Sequence, residues 1–581
     1  MKKPFIFSLP SGELGRIILS ILVTLVFGAG YFYLFYPAIN LQDPEFYTFA
    51  GFLCLVYLIC VFLCSGGALR VESGSPADGL LRWLRFIRRR CLPVGVLFAG
   101  LIAVAVIGTV ISMPIFRAGA YRDLLQVEDG SFTEDVAQIS FSEIPTLDRT
   151  SAEYLGDRQM GTLSDMVSQF EYSGDSTQIN YQGRPVRVAP IAYADLFKWL
   201  TNRREGLPAY VVVDMVTQEA SVVRLPEGMK YSFSEPLGRN ILRHLRFSYP
   251  TFLFSTPEFE IDEEGHPWWI APRLVKTIGL FGGVDIRGAV LVDAVTGESS
   301  YYEEVPTWVD NLYSPDLIMQ QYNYHGTLVR GFINSVLGQR DVTMVTSGYN
   351  YIAMNDDVFV YTGVTSANSD QSNLGFLLCN MRTKETHFYT APGATEAAAM
   401  QSAMGVVQDL GYQATFPLLL NIAGQPTYFI PLKDATQLVK MYAMVNVAQY
   451  QVVATGTTVS ACEQEYIRLL TDKGITQPQQ RPETRSQGRI AEIRSAVLDG
   501  TTRFFLRLEG EEIFYAVSAA SDLSPVLLNP GDEVAIDHAP PDPQAASDLL
   551  EGYRVTLLSR AAAQPQEESP EESQAVLSQD D

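Results

Sequence analysis

The sequence predicts an α+β membrane protein in which three transmembrane helices precede a tandem of about four helix-plus-hairpin repeats and a small all-β barrel. Three observations predict this fold class. Three uncharged apolar runs crowd the first 116 residues, two short motifs then recur at a spacing of about 80 residues, and short alternating strands follow residue 488. Helix and hairpin signals that alternate in this way are typical of α+β architecture.

The apolar runs extend from Ile17 to Ile39, from Tyr47 to Leu69 and from Pro93 to Phe116, and none contains a charged residue. A helix rises about 1.5 Å per residue, so a run of this length can cross a hydrocarbon core of about 30 Å. A signal peptide does not explain the first run, because that run is longer than a typical apolar signal region and two more follow it. Residues 1–116 are therefore predicted to be a three-span membrane anchor.

The charges beside the apolar runs predict their orientation. The loop 40–46 carries two acidic residues and no basic one, whereas the 70–92 loop carries six arginines. Lysine and arginine accumulate on the cytoplasmic side of membrane proteins. The N-terminus and the 70–92 loop are therefore predicted to be cytoplasmic, and residues 117–581 extracytoplasmic, in a multi-pass protein of the cell membrane.

Composition excludes several classes of protein. The chain has 42 basic and 65 acidic residues, a net charge of −23, of which residues 1–116 contribute 9 minus 5, or +4. The remainder carries −27, which argues against binding to the phosphate backbone of a nucleic acid. Six cysteines among 581 residues exclude a disulfide framework. The hydrophobic content of 47% argues against wholesale disorder.

A first motif, Gly-x-Pro-x-x-apolar-(Ala/Ile)-Pro, occurs at Gly183–Pro190, Gly265–Pro272 and Gly424–Pro431. It predicts a strand, a glycine turn and a second strand, with the second proline ending the strand pairing. The copies are 82 and 159 residues apart, so a degenerate copy is expected near position 350. Asn355–Asp357 fits there, as a turn between two strand-like runs.

A second motif has the same period and occurs at Asp214–Glu219, Asp293–Glu298 and Asn380–Glu385. Its Asx and Thr side chains predict a hairpin turn, because they bond nearby backbone N–H groups. A helix is predicted before each pair of hairpins, at Leu163–Phe170, Gly238–Phe247, Gly326–Leu337 and Ala394–Leu410. The region 117–470 is thus divided into units at about 155–230, 237–305, 325–390 and 394–470.

The segment Ala289–Glu298 resembles the closing strand and turn of the PepSY domain, which typically ends in a Val-Asp-Ala-x-Thr-Gly-Glu run. The resemblance covers about ten residues and is partial at Asp214–Glu219 and Asn380–Glu385, where other residues replace the glycine. PepSY is a small α+β module of extracytoplasmic and membrane-anchored bacterial proteins, and some members are proposed to restrain secreted peptidases. The resemblance implies no catalytic residue, and a shared turn chemistry is the alternative to homology.

The composition changes after residue 470. Residues 471–487 are rich in Gln and Pro and are predicted to be a linker. Residues 488–560 alternate as short strands with Gly-containing turns, which predicts a small barrel, OB-like or SH3-like. Residues 561–581 form an acidic tail rich in Gln, Ser and Pro, which is predicted to be disordered.

Local motifs for catalysis are absent from the sequence, and no cofactor, metal site or catalytic residue is predicted. The acidic run 258–264 lacks the ordered spacing of a calcium loop and is expected to be a solvated turn. Cys379 and Cys462 are expected to be free buried thiols, although an oxidising compartment would permit a bond. The candidate contact surface is aromatic, with core packing as the alternative for its members, which are His266, Trp268, Trp269, Trp308 and Tyr322.

The expected function is a non-enzymatic binding or scaffolding ectodomain on a membrane-anchored cell-envelope protein, since duplicated modules readily build extended surfaces. The expected partners are the lipid bilayer and other envelope or membrane proteins, and no nucleic acid; the oligomeric state is open. The alternative is a regulator of an envelope peptidase or an envelope hydrolase. A catalytic site assembled from distant residues remains compatible with the sequence, because triads need not be local.

Overall fold

The computed structural model describes residues 13–65, 76–136, 144–354, 356–367, 372–476, 484–498, 501–519, 522–538 and 549–560. Helices account for 33% of the structure and strands for 37%. The predicted mixture of helices and sheets behind an apolar helical region is confirmed. The predicted tail, 561–581, lies outside the described residues.

Three long helices occupy the predicted anchor region: α1 (Glu13–Phe35), α2 (Pro44–Ser65) and α3 (Pro76–Ile111). Their apolar stretches contain 22, 20 and 24 residues, long enough to cross a membrane, as predicted. The arginines between 82 and 90 lie on α3 and not in an irregular loop. No Gly or Pro interrupts residues 81–92, and Arg and Leu are favourable helix formers, so the helix extends beyond its apolar part.

A short connection leads from the anchor to the sheets through α4 (Pro114–Arg122), β1 (Glu128–Gly130) and α5 (Phe132–Asp135). Proline lacks an N–H group and disfavours helical geometry in the residue before it. Accordingly Met113, which precedes Pro114, is extended, and α3 ends at Ile111.

Four β-sheets follow, each introduced by a helix. Sheet I is preceded by α6 (Arg149–Gly161) and contains β2 (Phe170–Tyr172), β3 (Thr177–Tyr181), β4 (Arg184–Tyr193), then α7 (Leu196–Asn202), β5 (Leu207–Asp214) and β6 (Ala220–Met229). Sheet II is preceded by α8 (Ile241–Ser248) and contains β7 (Leu253–Phe254), β8 (Glu258–Ile261), β9 (Pro267–Ile278), β10 (Gly282–Asp293) and β11 (Ser299–Tyr302).

The third and fourth sheets have the same composition. Sheet III is preceded by α9 (Pro315–Thr327) and contains β12 (Thr343–Val345), β13 (Asn350–Met354), β14 (Asp357–Ser366), β15 (Ser372–Asn380) and β16 (Thr386–Ala394). Sheet IV is preceded by α10 (Glu396–Val406), contains β17 (Gln413–Ala414), β18 (Leu418–Ile422), β19 (Gln425–Lys433), β20 (Val439–Asn446) and β21 (Val453–Gly456), and is followed by α11 (Val459–Asp472).

All four sheets have one strand order. The first two strands are short and pair with the same edge of the long third strand, and the fourth and fifth strands complete an antiparallel meander. In sheet I, for example, β2 and β3 both pair with β4, and β5 and β6 follow. Sheet III has a sixth strand, because β1 pairs in parallel with β16.

The Gly-x-Pro motifs form the hairpins between the second and third strands, as predicted. Gly183, Gly265 and Gly424 have φ angles of 75°, 80° and 72°, a left-handed conformation that favours glycine. In sheet III Asp356 occupies this place with φ 65°, and Asp tolerates that region better than most residues. The hairpin predicted near position 350 is thus present as β13 and β14.

The Asx motifs form the turns between the fourth and fifth strands, as predicted. Side-chain oxygens of Asp214, Asp293 and Asn380 each accept the N–H groups two and three residues later. In sheet IV, Asn446 accepts the N–H of Gln449 in the corresponding turn. The sequence motif therefore acts by satisfying backbone donors at the tip of the hairpin.

One residue in each sheet connects the two motifs and the helix. The residue after the Asx donates its N–H to a carbonyl of the third strand, which belongs to the motif proline or to the valine that replaces it. The carbonyl of the same residue accepts an N–H from the segment that precedes the helix. The donor and acceptor pairs on the third strand are Met215 and Pro185, Ala294 and Pro267, Met381 and Val358, and Val447 and Pro426. The donors to the four carbonyls include Thr146, Lys230, Leu312 and Ala394.

The second proline ends the pairing within each Gly-x-Pro hairpin, as predicted, but the long strand itself continues past it. Each proline lies inside the long third strand of its sheet, opposite the gap between the two short strands that pair with the same edge. These prolines are Pro190, Pro272 and Pro431. The missing N–H costs nothing there, because no neighbouring strand could accept it. The carbonyls of these prolines, and of Gly363 in sheet III, accept N–H groups from Ser173, Ser255, Thr415 and Thr346 respectively.

Two of the four predicted helices are misplaced. The helix expected at 163–170 is α6, which ends at Gly161. The helix expected at 326–337 is α9, which ends at Thr327, although a separate π-helical turn, Asn334–Gly338, overlaps the expected range. The capping residues Asp148 and Ser314 start both helices earlier, by accepting the N–H three residues on. Asn240 and Thr395 cap α8 and α10 in the same way, at the predicted places.

Sheets I and II share one apolar core, which includes Val188, Val211 and Val292. Trp269 is completely buried in it and packs edge-on against Phe259, with ring centroids 5.4 Å apart. Because both sheets bury side chains in the same core, residues at their border are held rigidly.

Sheet II and α8, which precedes it, contact the ends of the long apolar helices. The Arg243 guanidinium of α8 donates to the Tyr33 carbonyl of α1 over 3.0 Å and lies 4.3 Å from the Tyr33 ring centroid. Side chains of the α1–α2 connection add two bonds, from the Asn40 amide to the Thr251 carbonyl and from the Gln42 amide to the Lys276 carbonyl.

The end of α3 binds the same sheet. The Ser112 hydroxyl oxygen accepts the N–H groups of Leu280 and Phe281, at the tip of the β9–β10 hairpin, over 2.9 and 3.1 Å. The Tyr121 hydroxyl of α4 donates to the Ser112 carbonyl over 2.6 Å. The helices and the four sheets accordingly belong to one compact unit that extends to Tyr466.

The C-terminal unit begins at Ile467. Its strands are β22 (Thr484–Leu498), β23 (Thr501–Leu508), β24 (Phe514–Ser518), β25 (Glu533–His538) and β26 (Leu549–Ser559). They are hydrogen-bonded in the order β22-β23-β24-β26-β25, and β22 also pairs with β25, so the series of pairs returns to its start. The only parallel pair among these five strands joins β24 and β26.

Candidate functional site

Three of the five predicted contact residues form one patch, the aromatic ledge, defined here as His266, Trp268 and Trp308. The His266 ring lies 5.5 Å from Trp268, and the Trp268 ring lies 5.9 Å from Trp308. All three side chains are half-buried. The ledge therefore presents apolar ring area and polar edges together, a combination that is common in protein contact surfaces.

Two acidic side chains, Asp262 and Asp293, contact residues of the ledge. Asp262 accepts the backbone N–H of His266 with one oxygen and the Trp268 indole N–H with the other, over 2.8 and 2.9 Å. His266 Nε2 lies 3.1 Å from Asp293 Oδ1. Burial raises the pKa of Asp293, but hydrogen bonds from Thr296, from the Val295 N–H and from His266 outweigh burial and leave the pKa below its usual value.

The His266–Asp293 pair has counterparts in two other sheets. The residue after the motif glycine contacts the Asx side chain in each case: Arg184 lies 3.7 Å from Asp214, and Asp357 accepts the Asn380 amide over 2.8 Å. The position after the motif glycine is thus Arg, His or Asp in three sheets. What the three have in common is a polar contact between the Gly-x-Pro hairpin and the Asx turn. His266 therefore has a structural role besides any contact with a partner.

The remaining two predicted residues lie elsewhere. Trp269 is 0% exposed in the core of sheets I and II, and its indole donates to the Tyr231 carbonyl over 2.9 Å. Tyr322 of α9 is 4% exposed and lies with Val358 and Leu377 in the core of sheet III. Neither side chain is available to a partner on this surface.

A buried acidic junction lies behind the ledge, and sequence reasoning missed it. It is defined by Glu260 of β8 and by Asp310 and Asn311 of the connection 303–314, which also carries Trp308. Glu260 accepts the N–H of Asp310 over 3.0 Å and the N–H and side-chain amide of Asn311 over 2.9 and 3.0 Å. Both carboxyl groups are almost completely buried, at 0% and 1% exposure.

The junction joins three sheets. Asp310 accepts the N–H of Asn180 in sheet I over 2.6 Å, and the Asn180 amide donates to Asp356 of sheet III over 3.3 Å. The Asn311 amide donates to the Gln178 carbonyl of sheet I over 2.9 Å. The side chains that hold sheets I, II and III together here are thus largely polar.

Burial makes both junction carboxyl groups poor acids. Burial raises the pKa of Glu260 to about 7, against the opposing effect of its hydrogen bonds from Asp310 and Asn311. The pKa of Asp310 lies well above its usual value because of burial and then because of repulsion from Glu260. Two buried carboxyl groups that repel each other retain a proton more readily than they would in water.

The acidic run 258–264 was expected to be a solvated turn, and this is wrong for its first half. Glu263 and Glu264 are exposed, but Glu258 and Glu260 share one face of β8 because side chains alternate along a strand. That face is covered by β3 and the connection 303–314, so Glu260 is buried and burial also raises the pKa of Glu258. The alternation of Glu258 and Glu260 in the sequence could have indicated that both face one side of a strand. The residues around Asp310 do not indicate that it is buried.

The described residues contain no group of three or more His, Cys, Asp or Glu side chains placed to hold a metal ion. Cys379 and Cys462 are buried and unbonded, and burial raises the pKa of each thiol to about 12. At neutral pH these two thiols are protonated and unreactive.

Comparison with known proteins yields little. No family model matches the chain, and no curated protein matches it. Among solved structures, a mutant levansucrase of B. megaterium has 8% identity and a TM-score of 0.18, over 76% of this chain and 100% of that chain. A TM-score this low carries no argument about fold or activity.

Proposed function

We propose that this chain is a membrane-anchored cell-envelope protein whose ectodomain binds or scaffolds other envelope proteins through the aromatic ledge. The observation that carries the proposal is the position of the ledge. Trp268 lies eight positions from Lys276, the residue of β9 that contacts the anchor. At about 3.3 Å per residue the ledge is about 26 Å from that contact along the strand. Trp268 and Trp308 pack there against an apolar cluster that includes Ile270 and Leu291 of sheet II.

The domain organisation within this proposal is a tandem of four duplicated units followed by a small β-barrel. The identical strand order of sheets I to IV and the equivalent Asx turns support duplication. The PepSY resemblance of residues 289–298 is included as a hypothesis of origin. The strand order of the C-terminal unit, with five strands and one parallel pair, favours an OB-like over an SH3-like barrel.

The proposed orientation leads to a first testable prediction. The ends of α1 and α3 and the start of α2 contact α8 or sheet II, so the sheet lies at the opposite end of α1 from the N-terminus. The arginines in the first half of α3 then favour a cytoplasmic N-terminus and extracytoplasmic residues 117–581. Protease added to spheroplasts should therefore degrade the chain beyond residue 117 and leave an anchor fragment, as detected with an N-terminal tag. Full protection in spheroplasts, with degradation in inverted vesicles, would reverse the topology.

A second prediction concerns the ledge itself. Replacing Trp308 by Ala should remove the proteins that bind the ledge, because large aromatic side chains carry most of the binding energy of such surfaces. Full-length wild type and the Trp308→Ala variant, isolated from native membranes in mild detergent, are compared by quantitative mass spectrometry.

The matched control is Tyr450→Ala, which alters an aromatic residue that is 46% exposed in sheet IV. Partners depleted severalfold by Trp308→Ala and retained by Tyr450→Ala support the proposal. If both variants recover the same proteins as the wild type, the ledge is not the binding surface.

The alternative is a peptidase regulator or a hydrolase, and one observation favours it. His266 Nε2 lies 3.1 Å from Asp293, and a contact between a histidine and a carboxylate also orients the base of nucleophilic hydrolases. The counterpart pairs Arg184–Asp214 and Asp357–Asn380 favour a structural role instead. Hydrolysis of peptide or ester substrates by the pure full-length protein, lost on His266→Gln, would establish the alternative.

A further inference from the structure

The most exposed large apolar side chain among the described residues lies in a short segment after α9. Leu337 is 81% exposed, and Ile333 and Val336 are 74% and 56% exposed. Val336 and Leu337 lie in one turn of π-helix, Asn334–Gly338, and Ile333 directly precedes that turn, so the three exposed side chains are close together in the chain. We call residues 329–340 the apolar foot. A soluble surface rarely exposes three neighbouring large apolar side chains without a ligand.

The foot is attached directly to the membrane end of α3. Leu328 and Phe332, at its base, pack with Tyr121 and Ile278 in a small apolar cluster. Tyr121 donates to the carbonyl of Ser112, which directly follows α3, and Ile278 precedes the hairpin tip that Ser112 binds. The foot is thus connected to the end of α3 through Tyr121, which packs against the base of the foot and bonds to Ser112.

Neighbouring residues at the same level are also exposed and apolar. Met113, Ile115 and Phe116, just beyond α3, are 41%, 52% and 64% exposed. Met113 directly precedes α4, Ile115 and Phe116 lie in its first turn, and Ala118 and Tyr121 of the same helix pack beside the base of the foot. The apolar surface of the spans therefore continues through the start of α4 toward the foot.

The charges near the foot suit a membrane surface. Arg330 and Arg340 flank the apolar residues in a region of net charge −27, and Arg330 is paired with Asp341. Segments that lie in the interface combine large apolar side chains with Lys or Arg that meet anionic headgroups.

We propose that the apolar foot inserts into the outer boundary of the bilayer, with Ile333, Val336 and Leu337 among the acyl chains and Arg330 and Arg340 at the headgroups. The inference rests on the proposed membrane placement of α1–α3. It gives the ectodomain a second attachment to lipid beside the spans, which restricts rotation of the sheets relative to the membrane. The occupant is lipid because the foot continues the surface of the spans.

The test uses the full chain in nanodiscs of phosphatidylcholine and phosphatidylglycerol. A photoreactive benzoyl-phenylalanine replaces Leu337, and the products of illumination are identified by mass spectrometry. The matched control replaces Leu410, a leucine that is 54% exposed in a single helical turn before sheet IV. A third probe at Leu55, which is 55% exposed on α2, reports whether the spans are in lipid.

Lipid adducts at position 337 severalfold above those at 410 are the expected result. Adducts at 55 without adducts at 337, or cross-links from 337 to protein, would overturn the inference and leave the proposed anchor intact. Absence of adducts at 55 would overturn the anchor itself. If position 337 gives as many lipid adducts in discs of phosphatidylcholine alone as in discs that also contain phosphatidylglycerol, Arg330 and Arg340 do not bind anionic headgroups as proposed.

Discussion

Replacing Arg243 by Met is expected to lower the free energy of unfolding by about 2–4 kcal/mol, because buried carbonyl groups that lose their donor cost about 1–3 kcal/mol each. Arg243 is 7% exposed and donates to the carbonyls of Tyr33, Pro236 and Leu237. Met keeps much of the aliphatic volume and removes every donor. Thermal unfolding of the full chain in detergent, followed by tryptophan fluorescence, measures the effect.

Arg224→Met is the matched control, since Arg224 is 57% exposed in its ion pair with Asp165 and exposed pairs contribute little. A double-mutant cycle with Tyr33→Leu isolates the contact between the guanidinium and the ring, for which about 0.5–2 kcal/mol of coupling is expected. Equal losses in Arg243→Met and Arg224→Met would show that the contact between α8 and α1 does not stabilise the fold.

Replacing Asp310 by Asn is expected to stabilise the protein at pH 8 by about 1–3 kcal/mol and to change it little at pH 5. The folded-state pKa of Glu260, about 7, exceeds its ordinary value of 4.5, and that of Asp310 is also raised. The folded state therefore binds protons more tightly than the unfolded state, and the wild type loses stability as pH rises through this interval. Asn imitates the protonated acid, so the variant avoids much of the loss.

Other charged groups act on the same pair and set the conditions of the test. Glu258, Asp356 and Asp357 raise the pKa values of the pair by repulsion. Glu263→Gln is the matched control, because Glu263 is an exposed carboxylate in the turn after β8. Unfolding by urea is measured at pH 5, 6, 7 and 8 for all three proteins. A wild type whose stability does not fall between pH 5 and 8, or an Asp310→Asn variant with an unchanged fall, would contradict the argument.

The elements that sequence reasoning predicted are those whose physics is local. The apolar lengths of α1–α3 required only a count of residues, and the turns at Gly183 and Asp214 required only backbone chemistry within a few residues. The misplaced helices show the limit of this approach. Asp148 and Ser314 are ordinary capping residues, but apolar periodicity outweighed them when the helices were located.

The candidate site was predictable only in part, because it is assembled from distant segments. His266 and Trp268 adjoin in sequence, but Trp308 reaches them through a connection that has no regular structure. Asp310 meets Glu260 across fifty positions, and nothing in its neighbours distinguishes it from a solvated acid. Trp269 and Tyr322 resemble contact residues in sequence, but they are core residues because sheets I to III each bury both faces of their central strands.

In each sheet the edge formed by the first two strands is interrupted, and this affects how strands of four similar sheets in one chain pair correctly. Unpaired strand edges are templates for aggregation and for exchange between similar domains. Here that edge is two short strands, of two to five residues each, separated at the level of Pro190 or its counterpart. A long strand from another of the four sheets would find no continuous ladder to replace. We expect that the proline, or Gly363 in sheet III, with its Ser or Thr N–H donor, disfavours pairing between strands of different sheets during folding.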